Sequence, residues 1–376
     1  MTRLGSRLGT ALAGILTVTL MAAPAPALAV DMDEAHGNLT ERQELQRELD
    51  AVVAAGATSA TAEITSIGQH LRASSGPAEL GSNRPVPPQG RFRIGSESKT
   101  FIATVVLQLV AERRLQLDDT VESRLPGVVP QGDRITVRQL LNHSSGLFEV
   151  LATLPSPRSE EFLELRWRTW TTAELVARAT AKPLLFDPGT KTKYNNTGYL
   201  LLGMLIERLT GNSYAHEIEK RIIRPLRLHA TSLPGTDPAI RGPHAHGYLP
   251  IERDGKPQLL DITKINPSIM NAGGDMISTT RDLNRFFAAL LGGRLLPGHL
   301  MREMQTPALD SKFGLGIIRL SLPCGTAWGK DGDAPGYSST TFVSPRRDRQ
   351  VTVSVTWGAG DHGDAVDALV KAELCR

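Results

Sequence analysis

Residues 92–101 read Phe-Arg-Ile-Gly-Ser-Glu-Ser-Lys-Thr-Phe, and an apolar run follows them as far as Val110. The run leaves almost no polar face, which is typical of a helix buried in the middle of a domain. A serine in the first turn of such a helix lies where free backbone N–H groups and the helix dipole favour negative charge. Lys99 lies three residues after Ser96 and therefore returns to the same face, one turn along. This stretch predicts a serine and a lysine that a rigid, buried helix holds together.

The length and composition are those of a globular protein: 376 residues, of which 40% are hydrophobic and 22% are charged. This length can bury a sizeable core, either as one large domain or as two closely joined lobes. The formal net charge is only +3, and the basic residues form no stripe along the chain. We therefore expect no nucleic-acid partner.

The first 29 residues have the pattern of a secretory signal peptide. Arg3 and Arg7 precede an apolar stretch over 8–21, and the small residues at 27–29 form a cleavage site. An uncleaved membrane anchor is the alternative. No other apolar segment approaches the roughly 20 residues needed to cross a bilayer. We expect cleavage and a secreted protein with no integral membrane segment.

After a flexible segment at 30–39, strand patterns occur towards both ends of the chain, and helical patterns dominate between them. The expected strands are 60–67, 69–73, 314–320, 325–329, 338–344 and 350–357. The expected helices, besides the Ser96 helix, are 39–53, 136–142, 172–179, 198–209, 214–223, 280–291 and 362–373. This order predicts an α/β (α+β) fold over 40–376, with an antiparallel sheet flanked by helices. One lobe spans about 40–120 and 265–376, and a mostly helical lobe, about 121–264, is inserted into it.

Two further motifs follow the serine and the lysine in order. Tyr194-Asn195-Asn196 comes after a Pro-Gly turn and before a helix, and Lys330-Asp331-Gly332 comes at the end of an expected strand. With Ser96-x-x-Lys99, they resemble the three elements of the serine β-lactamase and D-alanyl-D-alanine carboxypeptidase superfamily, the class C and peptidase S12 type. Residues 140–147, Gly203 and 272–279 also match. The resemblance covers about residues 40 to 376.

The resemblance implies that Ser96 is the nucleophile of an acyl-enzyme mechanism. A free lysine has a pKa of roughly 10.4 and a tyrosine roughly 10, so neither is a base at neutral pH without help. Lysines that flank Tyr194 favour its phenolate, while repulsion and burial favour a neutral Lys99. The sequence leaves open whether Lys99 or Tyr194 is the base. Asn196 would orient the substrate amide or Lys99, and the oxyanion would bind the N–H of Ser96 and, by resemblance, that of Asp333.

The third motif leaves the substrate open. Lysine at position 330 is the β-lactamase choice, whereas similar exported carboxypeptidases usually have histidine there. Asp331 and Asp333 flank Gly332 and partly cancel the positive charge that a substrate carboxylate needs. Arg319, on the preceding expected strand, is a candidate for supplying that charge. Lys330, Gly332, Asp333 and Arg319 are therefore expected, with Asn196, to bind substrate.

The first expectation is a D-Ala-D-Ala carboxypeptidase that acts on peptidoglycan peptides, as a monomer and without metal or cofactor. A β-lactamase or an esterase would use the same site on a β-lactam or an ester. A penicillin-binding sensor that is acylated without turnover is the non-enzymatic alternative. The three intact motifs argue against this last reading.

The two cysteines, Cys324 and Cys375, are even in number and are expected to meet an oxidising environment. A bond between them would close a loop of about fifty residues, for which chain-entropy models suggest roughly 4 kcal/mol. Two buried free thiols are the alternative. The pair also resembles a disulfide of some carboxypeptidases in this superfamily. His244 and His246 are close in sequence but lack the helical spacing of a hydrolytic zinc site.

Overall fold

The computed structural model describes residues 32–157, 159–253 and 256–376, without the side chains of 32–38. The predicted signal peptide, 1–29, lies outside the described residues. Residues 40–376 form one compact unit. Within the described ranges, no helix combines the length and the apolar character that crossing a membrane requires.

A six-stranded antiparallel sheet forms the centre, in the order β2-β1-β10-β9-β8-β7, and two further strand pairs, β3–β6 and β4–β5, lie outside it. The strands are β1 (Ser59–Ser66), β2 (Gln69–Ser75), β3 (Phe92–Arg93), β4 (Tyr248–Arg253), β5 (Lys256–Asp261), β6 (Ile277–Ser278), β7 (Ile318–Leu322), β8 (Gly325–Ala334), β9 (Tyr337–Val343) and β10 (Arg349–Thr356).

Twelve α-helices are described in these ranges. They are α1 (Met32–Ala54), α2 (Ser98–Ala111), α3 (Val121–Arg124), α4 (Val137–Leu141), α5 (Glu160–Leu165), α6 (Thr172–Thr180), α7 (Thr197–Thr210), α8 (Tyr214–Ile218), α9 (Arg224–Leu226), α10 (Thr280–Leu291), α11 (Gly298–Met304) and α12 (Gly363–Cys375). A π-helical segment, Glu219–Ile223, joins α8 to α9.

The two faces of the sheet have separate apolar cores. On one face, Leu45 and Leu49 of α1 and Leu369 of α12 pack against the strands. On the other face lies the larger core, which contains almost the whole of α2. There the Phe101 ring stacks on Phe286 of α10, with ring centroids 3.7 Å apart. This buried aromatic pair increases the apolar area through which α2 packs at the centre of the molecule.

The predicted fold class is confirmed: an antiparallel sheet is flanked by helices, and mostly helical structure is inserted between its N-terminal and C-terminal strands. The disulfide between Cys324 and Cys375 is also present, with the two Cα atoms 5.6 Å apart. It ties the turn between β7 and β8 to the end of α12.

The structure differs from the expected elements at several places. Strand β7 begins at Ile318, whereas the pattern began that strand at 314. Helix α1 begins at Met32 rather than at residue 39. The β4–β5 hairpin lies within the segment that was expected to be helical. The pattern ended strand β8 at 329, but the strand continues to Ala334. The extension is held in the sheet because its pairing with β9 continues through Lys330 and Asp333. The third motif therefore lies inside a strand instead of at its end.

Candidate active site

Ser96 lies in a single 3₁₀ turn, Gly95–Glu97, that leads directly into α2. Its Oγ accepts a hydrogen bond from Lys99 Nζ at 3.0 Å and another from the Tyr194 hydroxyl at 2.5 Å. The expected proximity of serine and lysine is therefore observed, and Tyr194 joins them from 98 residues away. Two titratable side chains thus contact the Ser96 hydroxyl directly.

Lys99 is completely buried. Besides Ser96, its ammonium donates to Asn196 Oδ1 at 2.7 Å and to the Gly273 carbonyl at 2.5 Å. Burial disfavours the charged form and lowers the pKa of Lys99, although Tyr194 opposes this shift. A lowered pKa increases the fraction of neutral amine, which is the form that can accept the Ser96 proton.

Glu149 fixes the side chain of Asn196. Its Oε2 accepts from the Asn196 backbone N–H at 2.6 Å, and its Oε1 accepts from Asn196 Nδ2 at 2.8 Å. Because the amide nitrogen of Asn196 donates to Glu149, the amide oxygen is directed towards Lys99. Sequence reasoning missed Glu149, because nothing local distinguishes this glutamate from others and its partner lies 47 residues away.

His143 supports the site by packing. Its ring lies 4.5 Å from the Tyr194 ring and 4.9 Å from the Phe313 ring, centroid to centroid. Its Nδ1 accepts a hydrogen bond from the Asn195 backbone N–H at 3.3 Å. Burial, together with the nearby charge of Lys99, lowers the pKa of His143 well below its usual value. The imidazole is therefore neutral and contributes to the site through its packing on Tyr194 and Phe313.

Strand β8 contributes the charged side of the site. Lys330 is buried and donates to the carbonyl of Asp331 at 2.8 Å and to the carboxylate of the same residue. Its Nζ also lies 5.5 Å from the centre of the Tyr194 ring. Burial would raise the pKa of Asp331, but the Lys330 ammonium outweighs that effect and lowers it. Lys330 and Asp331 therefore form an ion pair.

Glycines allow β8 to pass close to the Ser96 turn. A Cβ on Gly332 would lie 2.0 Å from the Ile94 carbonyl oxygen and 3.0 Å from the Ser96 nitrogen. A Cβ on Gly95, whose φ is +48°, would lie 2.2 Å from the Asp333 carbonyl oxygen. No side chain fits at either position. The backbone of residues 332–333 and the Ser96 turn are thus adjacent, as an oxyanion site formed by both segments requires.

These residues surround a cavity of about 370 Å³, which we call the Ser96 cleft. It is lined by Ser96, Leu151, Tyr194, Asn196, Met270, Lys312, Phe313, Asp331, Gly332 and Asp333. The Asp333 carboxylate accepts a hydrogen bond from the Ser338 hydroxyl at 2.6 Å.

Arg319 is exposed and lies outside this lining, in a neighbouring groove beneath α12. Lys312, which sequence reasoning missed, lines the cleft instead, with Nζ 3.8 Å from Asp331 Oδ2. Within the described ranges, no cluster of histidine, cysteine or carboxylate side chains is arranged to hold a metal ion.

Comparisons with known proteins agree with this geometry. A family model described as Beta-lactamase matches residues 45–376. A penicillin-binding protein of Bacillus subtilis (strain 168) is 28% identical over 286 residues, which are 70% of this chain but only 60% of that protein's length. The chain thus spans less than two thirds of this relative.

Solved structures match over a larger part of their length. A D-stereospecific amidohydrolase from Streptomyces sp. is 38% identical, covering 89% of this chain and 98% of that one, with a TM-score of 0.81. A D-amino acid amidase from Ochrobactrum anthropi SV3, solved with D-phenylalanine, is 29% identical, covering 88% and 98%, with a TM-score of 0.78.

Proposed function

Because the chain belongs to the beta-lactamase family and is a serine hydrolase of that family, we propose that it is exported and hydrolyses amide bonds that follow a D-configured residue. D-amino acid amides and short D-peptides are the proposed substrates. The family resemblance predicted from the three motifs is confirmed.

The charge balance of the Ser96 cleft is the observation that carries the substrate proposal. A substrate that ends in a carboxylate needs a cation without a partner, but Lys330 is already paired with Asp331. The lysine of the lining itself, Lys312, faces the same Asp331, and Asp333 adds a further negative charge. This balance favours substrates whose leaving group is neutral and whose free amino group is positively charged. The D-specific amidohydrolases among the structural relatives support the same substrate class.

The proposed reaction proceeds in two steps. In the first, Ser96 Oγ attacks the amide carbonyl while its proton passes to Lys99 or Tyr194. The tetrahedral oxyanion is stabilised by backbone N–H groups, and its collapse breaks the C–N bond as the leaving amine takes up a proton. An ester on Ser96 and a free amine, or ammonia, result. In the second step, water cleaves the ester by the same route and releases the acid.

A D-Ala-D-Ala carboxypeptidase is the second candidate. It is supported by the penicillin-binding relative and by the half-exposed ammonium of Lys312 at the cleft, which could receive a carboxylate. The two candidates use the same acyl-enzyme chemistry and differ in the charge of the leaving group.

The test uses residues 30–376 and four substrates: D- and L-phenylalanine amide, and an N-acetylated peptide ending in D-Ala-D-Ala, as free acid and as amide. We expect ammonia release from the D-amide in large excess over the L-amide, and preference for the amidated peptide. Ser96→Ala should reduce every rate by more than about 10⁴-fold. Faster release of D-alanine from the free acid would favour the carboxypeptidase, and turnover that survives Ser96→Ala would refute both.

Export is proposed from the leader and is supported by the disulfide, because cytosolic thiols are kept reduced. Expression of the full chain in a secreting bacterial host should give a protein in the medium that begins at residue 30. Mass spectrometry of the N-terminus checks this. Retention of residues 1–29 on a cell-associated protein would contradict the proposal.

A further inference from the structure

A buried carboxyl group lies directly behind the nucleophile. Glu97 follows Ser96 in the 3₁₀ turn and is completely inaccessible to solvent. Its Oε2 accepts a hydrogen bond from the Ser339 hydroxyl of β9 at 2.8 Å, and its Oε1 has no hydrogen-bond partner among the described residues. A buried carboxylate oxygen without a partner is costly, so this group requires an explanation.

Hydrogen bonding explains why only one donor reaches the carboxyl. The Thr341 hydroxyl also faces it, but Thr341 Oγ1 lies 2.9 Å from Thr352 Oγ1. Thr352 donates its own proton to Asn284 Oδ1 at 2.6 Å, so Thr341 has to donate to Thr352. Towards Glu97, Thr341 can therefore only accept. This arrangement suits a protonated carboxylic acid better than a carboxylate.

The surrounding charges compensate little for the cost of burying an ionised Glu97 carboxyl. The turn packs against β8, β9 and α2. On the β8 side the Glu97 carboxyl faces Lys330 and Asp331, whose charges neutralise each other. On the β9 side it faces the hydroxyls of Ser339 and Thr341. The ammonium of α2, on Lys99, is directed to Ser96 Oγ. Burial therefore dominates and raises the pKa of Glu97 to about 8.

We infer that Glu97 is a positioning residue whose neutral form keeps the Ser96 turn competent, and that its ionisation places a negative charge behind the nucleophile and slows acylation. The acylation transition state is itself anionic and is held by the N–H of Ser96, one residue from this carboxyl. A carboxylate at 97 opposes that charge. Glu97 thereby sets the alkaline limit of the reaction. The inference rests on serine acylation and not on the proposed substrate class.

The test compares the pH dependence of acylation in wild type and Glu97→Gln, which keeps the shape of the side chain but cannot ionise. p-Nitrophenyl acetate serves as substrate, because it needs no specific subsite, and Ser96→Ala supplies the blank. A single ionisation near pH 8 should reduce the wild-type rate at pH 9 to about a tenth of its plateau. Glu97→Gln should retain the plateau at that pH. Identical alkaline limbs would overturn the inference.

Asp275→Asn is the matched control. Asp275 is also buried, its pKa is raised to about 7 by burial, and it accepts a hydrogen bond from the Tyr214 hydroxyl at 2.6 Å. This variant should leave the alkaline limb unchanged, and a shift equal to that of Glu97→Gln would refute a specific role for Glu97.

If Glu97→Gln does not fold, Ser339→Ala provides an independent readout. It removes the one donor to the carboxylate and should move the alkaline limb to higher pH. A limb that stays in place or moves to lower pH would contradict the inference. Failure of the D-amide assays, by contrast, leaves the ester pH profiles measurable and would refute only the proposed substrate class.

Discussion

The two sides of the Ser96 cleft differ in burial and in how their charges are paired. The buried side holds its polar groups in a closed set of hydrogen bonds, and it consists of Ser96, Lys99, Tyr194 and Asn196. The charged side consists of Lys312, Lys330, Asp331 and Asp333. Lys330 is buried, Asp331 is half-exposed, and Lys312 and Asp333 are exposed.

This difference separates chemistry from substrate choice. Groups in a low-dielectric environment interact strongly, and their pKa values are set by the protein, so the buried side determines how the bond is broken. The exposed charges of Lys312 and Asp333 are screened and can be exchanged at little cost in stability, so we propose that the charged side selects the substrate. The four predictions below test this division, beginning with the largest expected effect.

Lys99→Met should abolish most activity. The variant keeps the length of the side chain but removes the amine, and loss of a positioned base costs about 10²–10⁴-fold. We expect kcat/KM for a D-amide to fall within that range. Lys193→Ala, which removes an exposed lysine beside Tyr194, is the control and should leave kcat/KM unchanged. Equal losses in the two variants would contradict a specific role for Lys99.

Glu149→Ala should reduce activity through Asn196. Without its two acceptors, Asn196 is free to rotate, and Lys99 loses a fixed partner. Misplacement of a catalytic group by about 1 Å costs up to about 10²-fold, so we expect a loss of about 10- to 100-fold in kcat. Glu149→Gln keeps one acceptor and should be less affected. A change confined to KM would indicate that Glu149 acts on binding alone.

Asp331→Asn should change substrate preference. The carboxylate that neutralises Lys330 is lost, while the amide oxygen still accepts a hydrogen bond. We expect the ratio of kcat/KM for the free-acid peptide to that for its amide to rise by about tenfold, which corresponds to roughly 1.4 kcal/mol. Lys312→Gln should shift the same ratio in the opposite direction. An unchanged ratio in both variants would show that this side of the cleft does not select the leaving group.

Removal of the disulfide should have the smallest effect on catalysis. Cys324→Ser combined with Cys375→Ser opens a loop between residues 51 positions apart, and chain-entropy models predict a loss of about 4 kcal/mol in the free energy of unfolding. We expect a clearly lower Tm in thermal denaturation but the same kcat at 25 °C. A lower kcat in the folded double variant would show that the position of β8 at the cleft depends on the disulfide.

The fold and the three motifs were largely predictable, because their signals are local. Helical spacing alone brings Lys99 to Ser96, and alternation of apolar residues marks most strands. The end of β8 was not predictable, because its last residues are polar or glycine and are held in the sheet by pairing with β9. The β4–β5 hairpin was missed, because its short segments lie between helical patterns.

The sequence by itself determined the buried helix, the proximity of Ser96 and Lys99, and the family, since a turn of helix and a short motif depend on neighbouring residues alone. Only the tertiary structure decided the partners: Glu149 on Asn196, Lys312 rather than Arg319 at the cleft, and Asp331 on Lys330. Those contacts depend on how distant segments approach one another and on strand register. A shift of one residue in register would move every side chain to the other face of the sheet.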